Sequence, residues 1–174
     1  MNYSMYRQEI NQMIDSLPDE ELVKVYWSIE AIRQKYLFTK TMHDKGVVIV
    51  TLLDKEHGIM DKWDSVFAKS ISDETKREIR YDQYKWHIFS FKKQDCIEKE
   101  AARNAFDAVN KNDLFVMYQN IPDIVFEYNN ASDIVASDFD YEQDIYLFDR
   151  NFTWTYVYTH ESICGPYFYK SVQG

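Results

Sequence analysis

Between Asp144 and His160 the chain reads DIYLFD, then Arg150-Asn151-Phe152, then TWTYVYTH. Both runs are dense in β-branched and aromatic residues, and a short polar break separates them, so residues 144–160 are predicted to form an antiparallel hairpin. On the second strand Thr153, Thr155, Val157 and Thr159 share one face, and Trp154, Tyr156, Tyr158 and His160 share the other. A two-stranded hairpin is marginal in water by itself, so the rest of the chain must supply further strands or a helix to cover it. It supplies both. GVVIVTLL (46–53), KWHIFSFK (85–92), LFVMY (114–118), IVFEY (124–128) and GPYFYK (165–170) read as strands. In the 85–92 strand His87, Phe89 and Phe91 take one face while Trp86 and Ile88 take the other, which predicts a central strand.

Helical spacing connects Ile59, Met60, Trp63, Val66, Phe67 and Ile71, and Ser72 opens a further helix in SDETKREIRYDQY. Asp95 and Glu98 are spaced as a capping box ahead of the helical run Ile97, Ala101, Ala105, Ala108 and Val109. NNASDIVASDF reads as a cap and a short helix. The N-terminal segment differs in kind. Tyr6, Ile10, Met13, Ile14 and Leu17 form one apolar stripe, and Leu22, Val25, Tyr26, Ile29, Arg33 and Tyr36 form another. SLPDEE lies between them, with Pro18 suited to a first helical turn and three carboxylates at the positive end of the helix dipole. Residues 3–17 and 18–38 are therefore predicted to be a helical hairpin. The class is α+β: a helical hairpin over 1–40, which packs on the rest or forms a homodimer, and a 46–174 domain with a mainly antiparallel, aromatic-rich sheet and flanking helices.

Charge is unevenly distributed. Residues 1–40 hold five Lys/Arg against six Asp/Glu, residues 41–111 hold thirteen of each, and residues 112–174 hold only Arg150 and Lys170 against ten carboxylates. That acidic last part also carries fifteen of the 29 aromatic residues. It is ill suited to a phosphate backbone, which needs positive charge, so direct nucleic-acid binding is not expected. It suits a basic-faced protein partner. No apolar run is long enough to cross a bilayer, no secretory signal opens the chain, and two cysteines without a CxxC fit reduced thiols in the cytoplasm.

From about Val47 to Tyr169 the sequence resembles a bacterial family of small proteins, the domain of unknown function DUF4275. The stretches WDSVFA (63–68), WHIFSF (86–91) followed by Cys96, AARNAFD (101–107) and TWTYVYTHESICGPYF (153–168) carry the likeness. Residues 1–40 lie outside it. The resemblance implies a cytosolic protein of bacterial or phage origin and brings no activity with it.

Two kinds of site are open. The first is a partner-binding surface made of Asp138, Asp140, Glu142 and Asp144 with Trp154, Tyr156 and Tyr158, aromatics being frequent interface anchors. The second is chemical. His160 and Cys164 offer a base and a nucleophile near the sheet-to-turn corner, but Glu161, adjacent in sequence, is badly placed to orient the imidazole. His87, Cys96, His160 and Cys164 are ligand types that suit zinc, although only His160 and Cys164 are closely spaced. Cys96 in a first helical turn would have a favoured thiolate, opposed by Asp95 and Glu98, or would be a small buried hydrophobe. There is no GxGxxG, no GxxxxGK and no hydrolase elbow, and no cofactor is expected. The expectation is a non-enzymatic binding protein of inhibitor, immunity or phage counter-defence type. A cysteine- or metal-dependent hydrolase using His160 and Cys164 is the alternative.

Overall fold

The structure is a computed structural model describing residues 2–171, so the last three residues of the 46–174 domain lie outside it. The chain divides into two compact units, Met1–Lys40 and Thr41–Gly174.

In the first unit α1 (Tyr3–Asp15) is capped by Asn2, whose side chain accepts from the Ser4 amide, and α2 starts at Asp19 with three carboxylates in its first turn. α2 continues to Asp44, six residues beyond the helix expected from the apolar stripe. Leu37 to Asp44 holds no proline or glycine to stop it, and the first glycine, Gly46, follows the helix with φ +75°.

The second unit is α+β, built on a seven-stranded antiparallel sheet. Its strands are β1 (Val48–Leu53), β2 (Ile97–Glu98), β3 (Asp113–Tyr118), β4 (Ile124–Asn129), β5 (Ile145–Asp149), β6 (Trp154–Tyr158) and β7 (Tyr167–Lys170), in the order β1-β4-β3-β5-β6-β7-β2. The β5–β6 hairpin forms as its alternation requires, with Ile145 opposite Tyr158 and Leu147 opposite Tyr156. Asp149 closes its turn by accepting from the Thr153 and Trp154 amides and from the Thr153 hydroxyl.

Helices cover both sheet faces. On one, α4 (Ile59–Phe67), which follows the short α3 (Asp54–His57), and the segment after it insert Trp63, Phe67, Trp86 and Phe89 against Met117, Val125, Tyr146, Phe148 and Val157. The Trp63 indole N–H donates to the Thr155 hydroxyl at 3.1 Å within this layer. On the other face α7 (Lys99–Ala108) stacks Phe106 on Tyr156 at 4.5 Å and sets it edge-on to Trp154 and Phe139. β6 serves both layers: Trp154 and Tyr156 meet α7 on one face, and Thr155 and Val157 meet the Trp63 layer on the other.

Two local expectations fail. Residues 85–92 are not a strand: His87–Ser90 is a helical turn, α6, preceded by α5 (Asp73–Glu78), which Ser72 caps as expected. A short run that is apolar on both sides has no decisive period, and here polar ties to the sheet win. The Trp86 amide donates to the Tyr146 hydroxyl, the Lys85 amide donates to Gln119, and the Tyr146 hydroxyl donates to Gln119. The capping box also fails. Glu98 precedes α7 but makes no side-chain cap, because Ile97 and Glu98 pair with Phe168 and Tyr167 as strand β2.

Candidate functional site

His160 ends the β6 run, and the carboxylate that orients it comes from the neighbouring strand entrance. Asp144 accepts from His160 Nδ1 at 2.8 and 2.9 Å, from the His160 amide at 3.2 Å and from the Trp86 indole at 2.9 Å. Asp144 has φ +50°, a left-handed conformation that aspartate tolerates better than most residues. The His160 ring also lies 5.2 Å from Tyr84 and 5.9 Å from Trp86. Glu161 stands 3.9 Å from Nε2, beyond hydrogen-bond reach.

This is half of a nucleophile-activating arrangement, and the other half is missing. No hydrogen bond joins His160 to Cys164 among the described residues. The Cys164 thiol feels Glu161 and Tyr167 instead. Burial first, then Glu161, raises its pKa and favours the thiol. The Thr159 hydroxyl donates to the Cys164 carbonyl, and the Cys164 amide donates to the Glu161 carbonyl, so the turn is closed on itself. Gly165 has φ +79°, and a Cβ there would stand 3.1 Å from the Tyr167 ring.

Cys96 lies before β2 rather than in a helical first turn, so no helix dipole favours its thiolate. Burial, with Glu98 and Asp95, pushes its pKa up to about 12. His87 Nδ1 is engaged by the Ile79 carbonyl, and its ring packs among Tyr84, Trp86 and Phe91. His87, Cys96, His160 and Cys164 are not gathered, and no cluster of three or more candidate ligands occurs among the described residues.

The acidic row is spent on the fold. Asp138 holds Lys45 at 2.5 Å and the Val135 amide at 2.8 Å. Asp140 takes both guanidinium nitrogens of Arg103 at 2.6 and 3.1 Å. Glu142 sits beside the Tyr118 and Tyr128 hydroxyls and helps hold both phenols protonated, behind the larger effect of burial. Trp154 and Tyr156 are core residues and Tyr158 is half-buried, so the first two do not form the expected exposed platform. Alternation alone could not tell whether that face meets water or α7.

The surface that sequence reasoning missed is the edge of the sheet. β1 pairs with β4 in continuous register from Val48–Asn129 to Leu53–Ile124, and its other edge has no strand partner among the described residues. Val48, Ile49, Val50 and Leu53 are 40–53% exposed. The strand VIVTLL contains no proline, no charge and no bulge. A second opening, about 480 Å³, lies beside β7 and is lined by Cys96, Ile97, Ala105 and Phe168 among others. A more polar recess of about 810 Å³ adjoins it through Ala108, Val109 and Lys170. Neither is lined by His160.

The family model of the domain of unknown function DUF4275 matches residues 35–168, and the chain belongs to that family. Neither curated proteins nor solved structures gave a match. No helix among the described residues is long and apolar enough to cross a membrane.

Proposed function

We propose, for this member of the family, a non-enzymatic protein-binding role in which a partner strand adds to the free edge of β1. The bare edge carries the proposal. Sheet proteins ordinarily protect an edge with lysine, proline, a bulge or a covering element, because unpaired backbone groups template association. β1 has none of these within its six residues and presents four large apolar side chains instead. Strand addition would draw affinity from the backbone ladder and specificity from alternate side chains. Residues 41–174 carry a net charge of −8, which favours a basic-faced partner by long-range steering. The acidic carboxylates thus contribute field, while contact falls to β1. Occupying a partner's strand suits an inhibitor, and an immunity or counter-defence protein in a bacterial or phage-encoded cytoplasmic setting is the form we favour.

The hydrolase reading draws support from the Asp144–His160 pair alone. Burial and Glu161, which favour the Cys164 thiol over the thiolate, weigh against it.

Selection of random displayed peptides on the intact protein tests the proposal. The expected winners alternate apolar residues, carry net positive charge, and lose about tenfold or more in affinity against Val50→Lys, roughly 1.4 kcal/mol. Peptides that bind Val50→Lys as well as they bind the native chain refute it.

A further inference from the structure

The helical hairpin has an unmet packing requirement that the β1 proposal does not touch. α1 has 13 residues and α2 has 26, so α1, at 1.5 Å per residue, can lie along only about half of α2. No residue of α1 is buried, and within α2 only Met42 is. The apolar residues of α2 also surround it. Leu22, Val25, Ile29, Ile32 and Tyr36 follow one stripe, while Val23, Trp27 and Leu37 lie on another. A single α1 cannot cover both. Trp27 is 63% and Ile32 70% exposed, large groups whose burial in water is strongly favourable. All but the last few residues of the hairpin precede the family match, which begins at residue 35, so most of it is an addition to the family's domain.

Charge indicates what covers it. From Asp19 to Glu30 the helix carries four carboxylates and one lysine, a net −3. From Arg33 to Lys40 it carries three cations and no carboxylate, a net +3. Such a helix is complementary to its own antiparallel copy, each acidic half lying along a basic half. A crossing at Ser28 would put Glu21 level with Lys35 of the other copy, with a small side chain at the closest approach. The hairpin's net charge of −1 offers little repulsion to such pairing.

We infer that residues 1–40 form a two-fold homodimerisation element in which α2 pairs antiparallel with α2 of a second copy, closing a four-helix arrangement. The interface is isologous and closes at two copies. It uses no residue of β1, so failure of one proposal does not entail failure of the other.

The test uses the full chain and measures mass in solution by light scattering and sedimentation across a concentration series. The native chain is expected to be a dimer that weakens as salt rises. Lys35→Glu sets a carboxylate level with Glu21 of the other copy, and Glu21→Lys sets a lysine level with Lys35 of the other copy. Each variant alone is expected to be monomeric, and an equimolar mixture, which restores both opposite-charge pairs, is expected to restore the dimer mass. Trp27→Glu is expected to give a monomer that charge pairing does not rescue. Circular dichroism checks that each variant keeps its helix content, and a variant that loses it is replaced by the milder Lys35→Gln or Glu21→Gln, read by dimer dissociation constant. A monomeric native chain, a larger assembly, a dimer indifferent to both charge reversals, or a mixture that stays monomeric overturns the inference.

Discussion

Removing the Asp144 carboxylate separates a structural corner from a catalytic one. In Asp144→Ala the Trp86 indole N–H loses its 2.9 Å acceptor, and the His160 ring and amide lose theirs. An orphaned buried donor costs about 1–3 kcal/mol. The His160 contact is partly exposed and screened, and adds about 0–1 kcal/mol. Alanine at φ +50° adds about 1–2 kcal/mol of left-handed strain. The sum is roughly 2–6 kcal/mol, and at about 2–4 °C per kcal/mol for a chain of this size the midpoint falls by roughly 4–24 °C. Asp144→Asn keeps an acceptor and tolerates the backbone, so it costs about 1 kcal/mol. Asp144→Gly relieves the backbone but keeps no acceptor and falls between the two. His160→Ala costs at most about 1 kcal/mol, because its ring is a third exposed. Urea and thermal unfolding followed by tryptophan fluorescence measure all four, and a Trp86→Phe/Asp144→Ala cycle isolates the coupling. If Asp144→Ala lies within about 0.5 kcal/mol of the native chain, an ordinary surface effect, the corner is not the lock described here.

Other outcomes follow from buried partners and thiols. Thr155→Val strands the Trp63 indole N–H and costs about 1–3 kcal/mol, whereas Tyr156→Phe removes a buried hydroxyl that has no hydrogen-bond partner among the described residues and is neutral or stabilising; denaturant midpoints separate them. Gly165→Ala combines φ +79° with a 3.1 Å Cβ contact to Tyr167 and destabilises more than Gly58→Ala, which has φ +63° and open space; paired thermal scans decide it. Because the folded Cys96 pKa stands near 12, above its unfolded value, the contribution of its neutral thiol is intact below about pH 8.5 and is lost as pH rises toward 12. Cys96→Ala should flatten that alkaline decline, measured as unfolding free energy against pH, and alkylation of the native chain at neutral pH should be slower than in denaturant.

Strands with one decisive pattern were legible in the sequence: the β5–β6 hairpin, β3 and β4 all form where alternation and turn residues put them. The α4 stripe and the Ser72 cap were legible for the same reason, since period and cap are local properties. The segment around Trp86 was not, because its conformation is set by Tyr146 and Gln119, residues 60 and 34 positions away. The site suffered likewise. In the sequence Asp144 reads as one of a surface row and His160 has no orienting carboxylate beside it, yet the two meet across 16 residues. Asp138 and Asp140 read as free charge because Lys45 and Arg103, their partners, are 93 and 37 residues distant. Trp154 and Tyr156 read as a platform because nothing local distinguishes a face packed by Phe106 from a face in water.

Amide hydrogen exchange on the chain, free and saturated with a selected partner peptide, tests the central claim most directly. Binding at the sheet edge predicts that new protection concentrates on the outward-facing amides of residues 48–53, with their β4-paired neighbours little changed. Protection confined to residues 138–161, with β1 exchanging as before, would return the function to the acidic row and the His160 corner and contradict the account.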